Sequence, residues 1–355
     1  MTDNDERSQR FRIGEAVTLV RYMSLESVAE DLRGKSNQLW VFDTNTESLL
    51  GGRPEPSVVL EPGERWKKWE SVDRILSAAV DARIGRDGLL IGCGGGVVCD
   101  LCAFASSIYM RGCRALLMPS TLLAMVDAAL GGKTGMDYHG YKNMIGSFYP
   151  AEEVRIASGF LATLPEREFR GGLAEVIKHS LLVRSGLRDL LVKRRDEVLA
   201  KNPPLLQQIV FDAVAVKGEV VEEDPKEIGR RAILNLGHTF AHALESVSGF
   251  SSVSHGEAVG WGIDKALRLG VRLGITSPAY MEEVSHMLES YGFELATPGG
   301  LTDEILPAMQ QDKKKRRGRV RFVLQREWGD TIVQEVDESE VRAILDESAT
   351  SRADR

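Results

Sequence analysis

The order of short apolar segments in the first 158 residues restricts the fold more than any other feature of the sequence. Five of these segments have the composition of strands: AVTLVRY, QLWVFDT, SVVLEPGE, GLLIGCGGG and RALLMPS. Two amphipathic segments, SVDRILSAAVDARIG and TLLAMVDAALGG, lie among them and read as helices. Strands that alternate with helices predict a parallel α/β sheet.

A different pattern begins at about Gly159, where helical periodicity becomes dominant. The helical segments are EREFRGGLAEVIKHSLLV, LLQQIVFDAVAVKGEVVEE, AILNLGHTFAHALESV, HGEAVGWGIDKALRLGVRLG and AYMEEVSHMLESYG, and RVRFVLQREWGDTIVQEV reads as a β-hairpin. A chain of 355 residues is too long for one core. We therefore expect an α/β domain at residues 1–158 and a mainly helical domain at residues 159–355.

Charge and hydropathy exclude several classes of protein. The net charge of −7 argues against a nucleic-acid or anionic-membrane partner. The most apolar stretch, from Leu89 to Met110, contains Asp100 and four glycines, so it predicts a buried strand, a turn and a helix rather than a membrane span. The polar N-terminal segment MTDNDERSQRF has no apolar region of the kind that a secretory signal needs, and we expect a cytoplasmic protein.

The four cysteines lie close together in the sequence, at Cys93, Cys99, Cys102 and Cys113. The CxxC pair suggests zinc, iron–sulfur or thiol redox chemistry. The overall spacing matches none of these sites, so we interpret the four as small buried residues in a reducing cytoplasm.

The segment GCGGGVVCD ends a predicted strand and opens a predicted helix. Its glycines let the backbone approach a ligand, and a helix N-terminus attracts phosphate. Val97 stands where the third glycine of a dinucleotide fingerprint would be, so a dinucleotide site and a purely structural turn both remain open. Asp43, at the end of WVFDT, is suited to a ribose hydroxyl.

Two histidines, His238 and His242, lie one helical turn apart and so share one face of a predicted helix. His255 and Glu175 lie on other predicted helices, and one glutamate with two histidines is a typical open zinc site. The helix period also places Arg231 on that face, with Asn235, His238 and His242. A single buried histidine is more often structural than functional. We interpret His139 as exposed, and His179 and His286 as ordinary surface or packing residues.

Several cations accompany these groups and indicate an anionic, hydroxylated substrate. Lys178 follows Glu175 by one turn, and Lys217 lies in an apolar helix. The glycine-rich segment GGKTGMDYHGYKNMIGSF reads as a loop that wraps a ligand, and it follows Asp127. The basic run DKKKRRGRVR could be a nucleic-acid patch, but in an acidic chain we favour a turn whose lysines reach a substrate phosphate.

Taken together, the motifs resemble those of the 3-dehydroquinate synthases, which are members of the sugar phosphate cyclase family. The resemblance extends from Phe42 to Leu324 and rests on GGGVVCD, YMRG, LLAMVDAALGGKTG, YKNMIG, LPERE, GLAEVIKH, NLGHTFAH, HGEAV and DKK. It implies a nucleotide-binding α/β domain followed by a mostly helical metal-binding domain. Cys99 and Ser120 depart from the family's usual glycine and threonine at those positions.

The resemblance also implies functions for individual residues. Metal ligands, for Zn2+ or Co2+, correspond to Glu175, His238 and His255. NAD contacts correspond to Asp43, Glu64, Lys67, Gly95, Gly96, Val97, Asp100, Ser120, Thr121, Leu123, Lys142, Asn143, Thr163, Leu164 and Glu168. Catalytic and substrate contacts correspond to Asp127, Lys133, Lys178, Lys217, Arg231, Asn235, His242 and a lysine of DKK, either Lys313 or Lys314. Arg111 matches an arginine that reaches the neighbouring subunit's substrate, which implies a homodimer.

The implied reaction converts 3-deoxy-D-arabino-heptulosonate 7-phosphate to 3-dehydroquinate and phosphate. It combines transient NAD-dependent oxidation, phosphate elimination, reduction and an intramolecular aldol closure. Asn235 and His242 favour this activity over 2-epi-5-epi-valiolone synthase, whereas aminodehydroquinate synthase remains open. A glycerol dehydrogenase-like polyol dehydrogenase is a further alternative, but it has no use for so many phosphate and carboxylate ligands.

Overall fold

The computed structural model describes residues 7–248, 253–297, 301–311 and 320–350. The chain forms two compact units. The first unit contains Met1–Pro165 and Lys201–Glu227, and the second contains Glu166–Ala200 and Ile228–Arg355. The chain therefore passes between the units three times, whereas the sequence predicts a single boundary at residues 158 and 159, which stays a prediction.

The first unit contains the predicted parallel sheet. It has seven strands in the order β1-β2-β9-β6-β5-β3-β4, and all neighbours except β1 and β2 are parallel. The strands are β1 (Ser8–Ile13), β2 (Ala16–Tyr22), β3 (Gln38–Asp43), β4 (Ser57–Leu60), β5 (Leu89–Gly94), β6 (Arg114–Pro119) and β9 (Glu153–Ile156). Every residue of β3 is buried, as expected for a central strand covered on both faces. The α/β prediction for this part of the chain is confirmed.

The helices of the first unit are α1 (Trp69–Asp81), α2 (Gly96–Ile108) and α6 (Pro203–Glu223). Asn202 starts α6 by accepting a hydrogen bond from the Leu205 N–H, at 3.2 Å. Gly218 brings α6 against β1, because a Cβ there would lie 2.0 Å from the Phe11 ring. This contact explains why a helix from a later part of the sequence belongs to the first unit.

The glycine-rich segment that was expected to be a ligand-wrapping loop is instead a hairpin of β7 (Lys133–Tyr138) and β8 (Tyr141–Phe148). Gly135 and Gly146 are paired across the strands, and a Cβ on Gly146 would lie 2.1 Å from the Thr134 carbonyl oxygen. His139 and Gly140, both with positive φ, form the two-residue turn. The loop prediction is wrong because these glycines allow close approach of two strands.

The expected helix TLLAMVDAALGG is also wrong in form. A wider, π-helical turn covers Ala124–Ala128, and the Ala129 N–H donates to the Ala124 carbonyl oxygen at 3.0 Å. Such turns often occur at functional sites. Asp127 lies within it.

The second unit is mainly helical, as predicted, and its sheet is the predicted hairpin of β10 (Val320–Glu327) and β11 (Asp330–Val336). Its helices are α3 (Glu166–Leu182), α4 (Leu187–Lys193), α5 (Arg195–Leu199), α7 (His238–Val247), α8 (His255–Arg272), α9 (Pro278–Ser290), α10 (Thr302–Gln311) and α11 (Glu338–Thr350).

The predicted helix from Ala232 to Val247 is interrupted. A short 3-10 helix covers Arg230–Asn235, and α7 begins only at His238, after Gly237 with φ 81°. The left-handed conformation of Gly237 breaks the helix. The predicted stripe of Arg231, Asn235, His238 and His242 along one helix face is therefore wrong, and only the two histidines share a helix.

All four cysteines are buried and free, as expected for small core residues. Burial raises the pKa of Cys93 to about 12, which makes this thiol unreactive at neutral pH. Within the described part of the chain, every helix is too short or too polar to span a bilayer.

Candidate active site

The carboxyl ends of three neighbouring parallel strands lie at one edge of the sheet in the first unit. These strands are β3, β5 and β6, and they end at Asp43, Gly94 and Pro119. Ligands of open α/β sheets bind at this kind of edge. Four residues expected to contact NAD, Gly95, Gly96, Ser120 and Thr121, directly follow the ends of β5 and β6.

The glycine turn has the strand–turn–helix form that the sequence predicted. The Ser120 N–H donates to the Gly94 carbonyl oxygen at 2.8 Å, which joins the two loops. A Cβ on Gly95 would lie 3.3 Å from Thr121 Cγ2, so the space above this turn is narrow. Among the described residues, no side chain caps the N-terminus of α2, which starts at Gly96. Its first N–H groups are therefore suited to an anion.

Lys67 is the centre of a polar cluster in the first unit. Its ammonium lies 2.6 Å from Asp100 Oδ2 and donates to Asn143 Oδ1, also at 2.6 Å. Asp137 accepts a hydrogen bond from the Asn143 N–H at 2.8 Å. Burial alone would lower the pKa of Lys67, but the carboxylates of Asp100 and Glu64 outweigh it and raise that pKa above its usual value. Lys67 is therefore charged at neutral pH and links two other residues expected near NAD, Asp100 and Asn143.

Asp43 is buried at the end of β3 and is held by local hydrogen bonds. Its Oδ1 accepts from the Asn45 N–H at 3.0 Å. Burial raises the pKa of the Asp43 carboxyl above its usual value, against the effect of these hydrogen bonds. Such a carboxyl can exchange its local partner for a ligand hydroxyl.

Two further cations of the first unit are paired with carboxylates. The buried Lys217 donates to Asp127 Oδ1 at 2.6 Å and also to the Asp127 carbonyl oxygen. Lys133 forms an ion pair with Glu227. The structure thus brings together Asp127 and Lys217, two residues that the sequence predicted separately.

In the second unit, Glu175, His238 and His255 form a compact group, which we call the metal cluster. Glu175 Oε1 lies 3.6 Å from His238 Nε2 and 3.5 Å from His255 Nε2. The three ligand atoms all lie within 4.8 Å of one another. The Glu175 side chain is fully buried.

Glycines set the close helix contacts that assemble the metal cluster. A Cβ on Gly256 of α8 would lie 2.2 Å from Gly171 Cα of α3. This contact brings His255 beside Glu175, which lies one turn after Gly171. A Cβ on Gly237 would lie 2.7 Å from the Ile263 nitrogen, so the start of α7 also packs directly on α8.

Each histidine of the cluster has its second ring nitrogen beside an oxygen. His238 Nδ1 lies 3.3 Å from the Leu236 carbonyl oxygen. His255 Nδ1 lies 3.4 Å from Glu245 Oε1. Because a carbonyl oxygen only accepts, the His238 proton belongs on Nδ1, and Nε2 keeps its lone pair for the metal cluster.

The start of α8 is fixed by a capping box. Ser254 Oγ accepts from the Glu257 N–H at 3.4 Å, and Glu257 Oε2 accepts from the Ser254 N–H at 2.7 Å. Arg167 of α3 forms hydrogen bonds to both carboxylate oxygens of Glu257. This arrangement holds His255, the first residue of α8, in place against α3.

The electrostatics of the cluster favour a charged carboxylate and at least one neutral imidazole. Burial alone would raise the pKa of Glu175, but its ion pair with Lys178 and the hydrogen bond from His255 hold that pKa well below its usual range. Burial and the Lys178 ammonium hold the pKa of His238 well below its usual value. Burial would lower the pKa of His255, yet hydrogen bonds to Glu175 and Glu245 raise it to about 9.

Other expected substrate residues of the second unit lie close in sequence to the cluster. The His242 ring is centred 5.4 Å from the His238 ring, and His242 is exposed. Arg231 is buried and Asn235 is half-buried, both in the short 3-10 helix before α7.

The residues of the metal cluster fit a divalent transition metal. One carboxylate oxygen and two imidazole nitrogens lie within 4.8 Å of one another, and these are ligand types that Zn2+ and Co2+ accept. Three protein ligands leave a coordination position open, as in catalytic rather than structural zinc sites. Metal binding by these residues stays a prediction.

Comparison with protein families then identifies the chain. Residues 57–171 match the family described as 3-dehydroquinate synthase N-terminal, and residues 172–315 match 3-dehydroquinate synthase C-terminal. The chain belongs to the 3-dehydroquinate synthase family.

Individual relatives support membership of the 3-dehydroquinate synthase family over most of the chain. The 3-dehydroquinate synthase of Halorhodospira halophila is 38% identical over 329 residues, which cover 92% of this chain and 93% of the relative. That of Nostoc punctiforme is 40% identical over 293 residues, 81% of each chain.

Solved structures show the same fold. The 2-epi-5-epi-valiolone synthase of Streptomyces hygroscopicus, with NAD+ and Zn2+ bound, superposes with a TM-score of 0.86 at 26% identity, covering 97% of this chain and 99% of that one. A 2-deoxy-scyllo-inosose synthase superposes with a TM-score of 0.84 at 20% identity, covering 96% and 99%.

The remaining residues expected from the 3-dehydroquinate synthase resemblance lie on several different elements. Arg111 is exposed and follows α2, and Lys142 is half-buried in β8. Val97 is half-buried in the first turn of α2, and Leu123 is half-buried after β6, directly before the π-helical turn. Thr163 and Leu164 precede α3 in the sequence, Glu168 lies in the first turn of α3, and Glu64 precedes Lys67. Lys313 and Lys314 lie outside the described residues.

Three carboxylates that the sequence did not predict contact residues expected from the family resemblance. They are Asp137, Glu227 and Glu245, which contact Asn143, Lys133 and His255. Asp137 and Glu227 lie in segments that carry several charges, so nothing in the pattern singled them out. Glu245 had a visible signal, because a lone glutamate ends the otherwise apolar stretch FAHAL of α7.

Proposed function

We propose that this protein is a 3-dehydroquinate synthase, a lyase that converts 3-deoxy-D-arabino-heptulosonate 7-phosphate to 3-dehydroquinate and phosphate. The observation that carries the proposal is the convergence of Glu175, His238 and His255 in a chain of this family. A binding protein without catalysis would not need an open metal position.

The cofactors of the proposed reaction are NAD+ and a divalent metal, Zn2+ or Co2+. When bound, NAD+ supplies reversible hydride transfer and the metal supplies polarisation of a substrate hydroxyl. The glycine turn and the uncapped start of α2 support binding of the NAD pyrophosphate. Asp43 is suited to accept a hydrogen bond from a ribose hydroxyl, and Lys67 orders Asn143 beside the cofactor residues.

The cations of the chain are proposed to position the substrate. Lys133, Asn235, Arg111 and a lysine of DKK would hold the phosphate, and Arg231 would hold the carboxylate through its planar guanidinium. Lys217 and Asp127 support each other by their hydrogen bond, which fixes both side chains before substrate arrives. His242 is exposed, and we assign to it the transfer of protons at the substrate.

The deciding experiment measures phosphate release from the heptulosonate phosphate with NAD+ and Zn2+ present, while absorbance reports NADH. The proposal predicts phosphate release without net NADH, abolished by a chelator. If a simple polyol instead produced accumulating NADH and no phosphate were released, the polyol dehydrogenase alternative would replace the proposal.

Another sugar phosphate cyclase activity is the second candidate, since the solved neighbours include two such enzymes. Asn235 and His242 favour the dehydroquinate reaction over the valiolone reaction, but they do not separate it from the amino variant. Comparison of the oxygen and amino substrates in the same phosphate assay decides between these two.

A homodimer is part of the proposal. The hairpin strand β8 exposes three large apolar side chains, of which Tyr141 and Phe148 are 61% and 53% exposed, together with Met144. Met110, next to Arg111, is 50% exposed. Exposed large apolar side chains are candidates for an interface, and β8 lies beside the end of α2, where Ser147 Oγ donates to Ser107 Oγ at 2.8 Å.

Mixing of two inactive variants tests the assignment of Arg111 to the neighbouring subunit. Arg111→Ala and His242→Ala should each be inactive, and reassociated mixtures should regain partial activity, because a mixed dimer contains one intact set. Subunit exchange seen by light scattering without any recovered activity would contradict it.

The four buried free cysteines support a reducing, cytoplasmic location for the enzyme.

A further inference from the structure

Glu245 is a buried carboxylate that the proposed reaction does not use. It lies in α7, two turns after His238, and its side chain is 3% exposed. A buried carboxylate is costly unless another group compensates its charge. Its position beside the metal cluster therefore needs a physical reason.

The His255 ring lies between two carboxylates. Nε2 is 3.5 Å from Glu175 Oε1, and Nδ1 is 3.4 Å from Glu245 Oε1. Because the two ring nitrogens point in different directions, the Glu175 contact directs Nε2 toward the metal cluster while the Glu245 contact holds Nδ1.

His238 is held differently, by the neutral Leu236 carbonyl oxygen at 3.3 Å. A carboxylate partner raises the basicity of a metal-binding imidazole more than a carbonyl does, and it also fixes the proton on Nδ1. The two histidines of one cluster are thus supported by a charged and a neutral partner.

We propose that Glu245 is a positioning residue for the metal centre, which holds His255 with its proton on Nδ1 so that Nε2 is directed at the ion. This inference rests on the proposed metal cluster. Glu245 is not one of the three residues of the metal cluster, and it acts through His255.

The test is an isothermal titration, in which calorimetry measures the binding of Zn2+ to the metal-free full-length protein. Glu245→Gln preserves the shape of the side chain and removes its charge, and we expect it to bind Zn2+ about 10- to 100-fold more weakly than the wild type. With saturating Co2+, the visible absorption bands should also change, because they report ligand geometry. A loss of stability alone would leave those bands unchanged.

Asp264→Asn is the matched control, since Asp264 is a buried carboxylate of the same unit whose partners are Lys265, Arg268 and Ser285. It should unfold at a lower temperature yet bind Zn2+ within about twofold of the wild type. If Glu245→Gln does not fold, Glu245→Asp is measured, and the same weakening is expected because its carboxylate is withdrawn by one methylene.

Folded Glu245 variants that bind Zn2+ as tightly as the wild type and keep its Co2+ spectrum would overturn the inference. Failure of the proposed function gives a different result. In that case the wild-type protein itself would bind Zn2+ with an affinity that Glu175→Ala does not change.

Discussion

Lys67 combines a buried ion pair with a position among the residues that we expect to bind NAD. Its ammonium is buried and lies within 2.6 Å of two different residues, Asp100 and Asn143. Lys67→Met would leave Asp100 in a largely buried place without its cation. Loss of one partner of a buried pair costs about 3 kcal/mol or more, which thermal unfolding of the metal-free protein should detect.

Lys35→Met is the control for this prediction. Lys35 also faces an aspartate, Asp31, but at 3.8 Å on the exposed surface. Such pairs contribute at most about 1 kcal/mol. Equal destabilisation by the two substitutions would mean that the Lys67 pair is not a buried ion pair in solution.

Asp264 gives a prediction for the dependence of stability on pH. Burial would raise the pKa of its carboxyl, but Lys265 and Arg268 outweigh burial and hold that pKa below the usual 3.8. A carboxyl with a depressed pKa stabilises the folded state above its ordinary pKa, and this contribution is lost as the pH falls through the lower, folded-state value.

Thermal unfolding of chelator-treated protein from pH 6 down to pH 3 tests this. Below about pH 4, the unfolding temperature of the wild type should fall more steeply than that of Asp264→Asn. Parallel curves for the two proteins would show that Asp264 has an ordinary pKa in the folded state.

At the scale of elements, the glycines where α7 and α3 meet α8 control the metal cluster. Gly237→Ala must place a Cβ 2.7 Å from the Ile263 nitrogen, and it must do so at φ 81°. The backbone cost is about 1–2 kcal/mol, and overpacking adds about 1–3 kcal/mol. Because His238 is the next residue, Zn2+ affinity should fall together with the unfolding temperature.

Gly274→Ala separates the cost of the left-handed backbone from the cost of overpacking. Gly274 has φ +69° but nothing within 4 Å of an added Cβ. It should show only the backbone cost and keep the Zn2+ affinity of the wild type. If Gly237→Ala also kept that affinity, the close contact of α7 with α8 would not set the ligand geometry.

Elements with a strong local pattern could be predicted from the sequence, and those set by distant contacts could not. The strand–turn–helix at Gly94–Gly96 was predicted because its glycines and apolar periodicity are local signals. The break between Asn235 and His238 occurs where Gly237, at φ 81°, packs against Ile263, a distant contact that no local pattern contains. The hairpin β7–β8 was missed because glycines that pair across strands look like loop glycines.

The candidate site follows the same rule. Glu175, His238 and His255 were found from residue type and family resemblance, and the structure brings them together. Glu245 and Glu227 were missed because their significance depends on what they face, His255 and Lys133. Candidate ligand residues can be inferred from their chemistry and their order in the sequence. The residues that support them can be identified only from the three-dimensional structure.

At the scale of the whole molecule, metal binding should stabilise the fold. A ligand that binds only the folded state at 100 times its Kd adds about 2.7 kcal/mol. A chelator should therefore lower the unfolding temperature of the wild type, and added Zn2+ should restore it in a concentration-dependent way. Differential scanning calorimetry measures both shifts.

Glu175→Ala is the reference for this experiment, and His238→Ala is a second one. We expect each of these two variants to lack both the metal and the activity. A chelator should therefore leave their unfolding temperatures unchanged. An equal chelator effect on wild type and Glu175→Ala would place the stabilising metal elsewhere in the protein.

The interleaved path of the chain also determines the order in which a ribosome can deliver a working enzyme. Once 200 residues have been synthesised, all seven strands of the sheet are present but α6 is not, and Glu175 is present without His238 and His255. The first unit is complete only after Glu227, and the metal cluster only after His255. We therefore expect folding of the two units to overlap in time, and a chain that stops before residue 255 lacks one of the three residues of the metal cluster.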